Sequence, residues 1–265
     1  MGNPSLVSCL KEVELKLKKF TRRPKKSAAT AATPEIYNTK LEVWFLATPK
    51  QRKIHKEGFS FSNQPHHIQK KIWKFIWDKS NVFEVKTQSL FYYQSRRSNE
   101  DFERYWSELK TYVGGIENWA HSDVYSDCLS RILEANPSKV LPTLEKWNKS
   151  TNPWKRRQSL VSLFYYQSMR KKYPPKTKVL KFVKNLLEDE HYYVQKGVGW
   201  SLREAIQVYP KETYSFIDKN LEKLSSIAFT TVMEKVPTKR KELYKKQRAH
   251  ARAFARSGST RTVKI

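Results

Sequence analysis

The chain has 265 residues, with 52 Lys and Arg against 25 Asp and Glu and a formal charge of +27. That length supports one large core or two small ones without a disulfide or a metal, and 38% hydrophobic with 13% aromatic residues excludes a wholly disordered chain. Only seven glycines argue against Gly-rich phosphate loops and turn-dense β folds.

Residues 1–35 read as a basic N-terminal segment. An amphipathic helix is expected from Leu6 to Phe20, followed by a linker, TRRPKKSAATAATPE. Lysines and glutamates interrupt any secretory apolar core here, and Leu6 breaks the myristoylation pattern. No apolar run reaches the roughly 20 residues of a membrane span. Two cysteines, Cys9 and Cys128, form no framework, so a reducing, cytoplasmic setting is expected, nucleoid-associated if the source is bacterial. No membrane partner is expected.

From residue 36 to 237 the periodicity is helical. Ile68, Ile72, Trp73, Ile76 and Trp77 share one face, as do Val179, Phe182, Val183, Leu186 and Leu187. Helix breaks are expected at Pro65, Pro137, Pro142, Pro153, Pro174-Pro175 and Pro210. The segment Ser89-Leu90-Phe91-Tyr92-Tyr93-Gln94-Ser95 recurs identically as Ser162–Ser168, 73 residues on. That period is two helical hairpins of short HEAT-like size, so the expected fold is all-α, an α-solenoid of HEAT-like repeats with a concave basic face. Residues 238–265 carry ten Lys/Arg and one Glu and are expected to be a flexible tail. Setting aside that tail and the seven cations between Lys16 and Lys26 still leaves +11 on the repeats. A basic surface of this kind calls for a polyanion such as nucleic acid. A solubilising surface is the plainer alternative.

Metal and redox motifs are missing, as are GxSxG and P-loop sequences, so no metal or cofactor is expected. Three segments place aromatics beside charges. In the first, Trp119 and Asp123 are four apart and share a helical face. Its plain reading makes Trp119 core, Asp123 an N-cap or surface partner, and Asp127 with Arg131 a solvated stripe. The second, Pro153-Trp154-Lys155-Arg156-Arg157, puts cations at a helix start, against the macrodipole, which a bound phosphate would favour. The third, Gln195-Lys196-Gly197-Val198-Gly199-Trp200-Ser201-Leu202-Arg203-Glu204, holds two glycines inside a helical pattern. They imply either close helix packing or room for a ligand.

Taken in order, a Trp-x-x-x-Asp, a Trp-x-Arg-Arg and a Gln-Lys-x-x-Gly-Trp-x-Leu-Arg-Glu segment resemble the AlkD-type DNA alkylation repair glycosylases, which are built from HEAT-like repeats. The likeness runs from about Leu46 to Val236 and includes Ala47-Thr48-Pro49-Lys50-Gln51-Arg52-Lys53-Ile54. It implies a monofunctional, monomeric enzyme that excises cationic N3- and N7-alkylated purines from double-stranded DNA. Carried over, Asp123 becomes the catalytic carboxylate, with Trp119 and Trp200 as cleft aromatics. Arg157 would meet the phosphate, supported by Arg203, Arg156 and Lys196. The family's Trp-Asp-x-x-Asp reads here Trp119-Ala120-His121-Ser122-Asp123, so the first acid is replaced. A non-catalytic repeat scaffold that binds nucleic acid or an acidic protein fits the charge and repeats equally well. Only the carboxylate among the Trp and Arg residues separates the two.

Overall fold

The computed structural model describes residues 5–21, 37–96, 98–164 and 171–259. Most of the expected linker lies outside them. Among the described residues there are thirteen α-helices, one 3-10 turn and a lone bridge between Glu42 and Val82. The chain divides into two compact units, residues 1–135 and 136–265.

The first unit contains α1 (Leu6–Lys18), α2 (Thr48–Glu57), α3 (His66–Lys79), α4 (Phe83–Gln94), α5 (Asn99–Leu109), the 3-10 turn (Tyr112–Gly115) and α6 (Trp119–Ala135). Its centre is α4, buried along its whole length against α1, α2, α3 and α6. Polar groups on so enclosed a helix need partners, and they have them. Glu84 accepts from the backbone N–H groups of Trp44 and Leu46 at 3.0 and 3.2 Å. Lys86 donates to the Trp77 carbonyl at 2.6 Å. Burial pushes the Glu84 carboxyl up and the Lys86 ammonium down. The stripe Cys9, Val13 and Leu17 fixes α1 onto α2, α3 and α4.

The second unit contains α7 (Pro137–Asn148), α8 (Pro153–Val161), α9 (Lys176–Asn185), α10 (Tyr192–Val208), α11 (Pro210–Asn220), α12 (Ser226–Val232) and α13 (Thr238–Ser259). Here α10 is central, packed against α8, α9, α11 and α12. Pro137, Pro153 and Pro210 open helices, where a missing N–H costs nothing, and Pro65 and Pro175 cap them. Pro142 does not break the chain as expected; it lies inside α7. Its missing N–H removes the usual helical partner of the Ser138 carbonyl, and Ser138 is exposed, so water can serve that group.

The C-terminal segment also differs from the expected tail, because residues 238–259 are helical. Tyr244 is 1% exposed and donates to Asp218 at 2.5 Å, and Arg240 lies 4.0 Å over the Tyr214 ring. Long-range contacts of this kind outweigh the weak packing signal of a polar sequence.

The 73-residue period is visible in the elements. Helices α6 and α10 each have 17 residues and begin at Trp119 and Tyr192, and α7 and α11 begin at Pro137 and Pro210. The duplicated segment is core: Ser89–Gln94 lie buried on α4, as do Ser162, Leu163 and Phe164 after α8, while the rest of the second copy falls outside the described residues. In this register Glu84 corresponds to Arg157 and Asp123 to Lys196.

Candidate active site

The start of α6 is assembled by local chemistry. Asn118 is fully buried, and its Oδ1 accepts from the His121 N–H at 2.8 Å, capping the helix. Asn118 Nδ2 lies 3.1 Å from His121 Nδ1, while His121 Nε2 lies 3.1 Å from the Phe83 carbonyl and 3.0 Å from Thr87 Oγ1. This network assigns a neutral ring that accepts at Nδ1 and donates at Nε2. Burial drives the His121 pKa down to about 3. A ladder of rings continues outward: His121 stacks on Phe83 at 4.4 Å, Phe83 on Tyr37 at 4.5 Å, and Tyr37 meets Trp119 at 5.7 Å. Sequence reasoning missed His121 and Tyr37, whose partners lie far away along the chain.

On this anchored helix Trp119 and Asp123 stay partly exposed, one turn apart, while His121, Ser122 and Tyr125 to Ser130 are buried. Asp123 is not the cap; Asn118 is. Nor does Asp127 belong to a solvated stripe. It is 1% exposed, accepting from Arg131 Nε at 2.9 Å and Gln94 Nε2 at 2.7 Å. Polarity alone could not tell these two aspartates apart.

Neutral burial makes the first unit acid-sensitive. His121 at about 3 and His55 at about 4 both lie below the ordinary imidazole value, so the unfolded chain takes up protons below roughly pH 6.5 that the folded one refuses. Stability is complete above that pH and falls as pH drops toward 4. The urea midpoint should therefore decrease from pH 7 to pH 5, and His121→Gln should shrink that difference. An equal drop in the variant would remove His121 from the account.

In the second unit, Asn152 caps α8 by accepting from the N–H groups of Trp154 and Lys155 at 2.9 and 3.2 Å. Trp154 is buried and stacks on Tyr193 at 5.1 Å. Arg156, expected at DNA, is engaged within the protein. Its guanidinium pairs through two nitrogens with Asp189, at 2.6 and 3.2 Å, and donates to the Ser150 and Thr151 carbonyls. It ties the α8 start to the turn before α10. Arg157 is 7% exposed and donates to the Tyr193 carbonyl at 3.1 Å, beside Gly197.

Along α10, Lys196, Trp200, Arg203 and Glu204 form a partly exposed stripe. Arg203 pairs with Glu204 at 3.0 Å and with Glu234, and its guanidinium lies 5.8 Å from the Trp200 ring. Gln195, which opens the third segment, is 3% exposed. It donates to the Leu186, Leu187 and Asp189 carbonyls and accepts from Ser225 at 2.7 Å. The two glycines resolve differently. A Cβ on Gly199 would lie 2.5 Å from the Ala228 carbonyl oxygen, so α10 and α12 require glycine there; a Cβ on Gly197 meets nothing closer than 3.5 Å.

Against known proteins, the family model described as DNA alkylation repair enzyme matches residues 17–236. The chain belongs to that family. The match begins inside α1, earlier than the likeness to Leu46 onward suggested, and ends before α13. A solved structure described as a predicted DNA alkylation repair enzyme from Enterococcus faecalis aligns with TM-score 0.65 at 16% identity, covering 82% of this chain and 99% of that one. AlkD2 from Streptococcus mutans aligns at TM-score 0.56 and 16% identity, over 86% and 100% of the two chains. No curated protein matches the chain significantly. These likenesses establish the family's helical-repeat fold. Membership in the family brings a role in alkylation repair, with DNA as partner. Among the described residues no helix is long and apolar enough to cross a membrane.

Proposed function

We propose that the chain is a DNA glycosylase acting on cationic N3- and N7-alkylpurines in duplex DNA, with Asp123 as its catalytic carboxylate and residues 36–237 as the catalytic domain. The observation that carries this reading is the pairing on α6. Trp119 and Asp123 remain accessible one turn apart, with buried His121 and Ser122 between them and the buried run Tyr125 to Ser130 behind, at a terminus pinned by Asn118 and His121. A repeat scaffold has no need to hold a carboxylate beside an indole on a rigid helix end.

The chemistry follows from the lesion. A positively charged alkylpurine is already a good leaving group, so its departure needs no general acid. As the N-glycosidic bond breaks, the electron pair leaves with the base, and positive charge builds on the deoxyribose. The Asp123 carboxylate stabilises that charge and orients a water whose oxygen bonds to the anomeric carbon and whose proton passes to solvent. The faces of Trp119 and Trp200 favour the same cationic character. Lys196 and Arg203 would hold backbone phosphates, and Arg157 adds positive potential beneath α10. The replaced first acid, Ala120, then marks a position the reaction does without.

The test is release of free N7-methylguanine and N3-methyladenine from methylated duplex DNA, followed by chromatography. Release at rates far above spontaneous loss is the expected result. Tight duplex binding without release would favour the scaffold reading.

A further inference from the structure

Beyond the family match, α13 closes a pocket against residues 222–226. Arg248 and Arg252, one turn apart, face Ser225 and Ser226 across a cavity of about 430 Å³. Arg248 is only 7% exposed, its guanidinium 4.4 Å from the Phe229 ring, and its Nη1 is buried without a hydrogen-bond partner. Arg252 donates to Ser226 Oγ at 3.2 Å. Glu222 and Lys223 also line the cavity; Lys223 pairs with Glu188 at 3.7 Å, and Glu222 forms no ion pair with either arginine among the described residues. Burial and the neighbouring Arg252 both push the Arg248 guanidinium below the usual arginine range. A buried cation with an unmet donor and a second cation beside it costs stability unless an anion completes it.

We propose that Arg248, Arg252 and Ser226 form a receptor for a backbone phosphate of duplex DNA, contributed by a helix outside the family's common core. The inference rests on the reading of the chain as a duplex-DNA binder and not on its glycosylase chemistry. Two further observations favour DNA. The helix carries eight Lys and Arg against one Glu, a charge suited to a polyanion rather than to one small ligand. Ser225, beside Ser226 at the start of α12, donates to Gln195 of α10, the helix that presents Lys196 and Trp200. A phosphate held at α13 therefore braces the same α10–α12 contact that positions the candidate site.

The experiment uses the full chain, a short undamaged fluorescent duplex and a salt series. Arg248→Met keeps the contact with Phe229 and removes the charge, and Arg252→Ala removes the second cation from an exposed position. The double variant should bind about tenfold more weakly, and its log affinity should fall less steeply with log salt, by about one unit of slope per lost phosphate contact. Arg248→Met alone should keep or raise the urea midpoint without DNA. Unchanged duplex affinity and slope would overturn the proposal. If Arg248→Met does not fold, Arg252→Ala decides by its own slope. Inorganic phosphate and phosphatidylserine vesicles serve as parallel probes; a variant effect confined to either of them, with none on the duplex, also overturns it. A chain that releases no methylated base yet loses duplex affinity in Arg252→Ala would retain this receptor and lose only the glycosylase reading.

Discussion

Asp123→Asn should lower the rate of alkylpurine release by about 10²–10³-fold while leaving duplex binding intact, in line with the loss of one preorganised electrostatic partner. The amide is isosteric, so the capped start of α6 and the ring ladder behind Trp119 are undisturbed. On the proposed mechanism, what disappears is the negative charge facing the developing sugar cation. Binding should not weaken, because removing an acid from a basic surface reduces repulsion with phosphate. Asp127→Asn is the matched control. It breaks a buried pair with Arg131 and Gln94, so it should lower the urea midpoint without the selective loss of rate. Single-turnover release and anisotropy binding on the same preparations separate the two outcomes. Full activity in Asp123→Asn would remove Asp123 from the mechanism.

The two glycines of α10 should respond in opposite directions to the same substitution. At Gly199 an added methyl would lie 2.5 Å from the Ala228 carbonyl oxygen and 2.7 Å from Thr231 Cβ, so α10 and α12 must separate. Overpacking of this kind costs about 1–3 kcal/mol, against a helix-propensity gain of about 1 kcal/mol for leaving glycine. The backbone carbonyl has no rotamer to yield, which puts Gly199→Ala at the upper end. At Gly197 the new contacts are ordinary, at 3.5 to 3.8 Å, and Ala should be neutral or stabilising by up to about 1 kcal/mol. Urea denaturation of the two variants checks the contrast. Because Trp200 follows Gly199 directly, Gly199→Ala should also reduce base release. Equal midpoints would show that α12 adapts more easily than its backbone contact implies.

These cases show what was legible beforehand. Helical period and the Trp119–Asp123 spacing depend on residues close in sequence, and the 73-residue duplication on identity of two segments whatever surrounds them, and the elements follow them. The glycine pair was visible, but its meaning was not, since the Ala228 carbonyl that decides it lies on another helix. The pairing of Arg156 was hidden because Asp189, its partner, lies 33 residues away. The helix at residues 238–259 was hidden for the same reason: its polar composition resembles a tail until Tyr244 meets Asp218. Local pattern reports what a segment can form, whereas charge pairing over long separations decides what a side chain is for.

The duplicated register carries one more consequence. Glu84 and Arg157 occupy equivalent buried positions with opposite charges, and the local backbone follows suit: N–H groups of Trp44 and Leu46 turn toward the carboxylate, and the carbonyl of Tyr193 toward the guanidinium. Asp123 and Lys196 repeat the inversion on the accessible face. The repeat thus behaves as a socket whose polarity is wired by the backbone facing it, a non-helical stretch at Trp44 and Leu46 in one copy and the first turn of α10 at Tyr193 in the other. A chimera that exchanged only α4 and α8, leaving these facing backbone groups in place, would fail by sign.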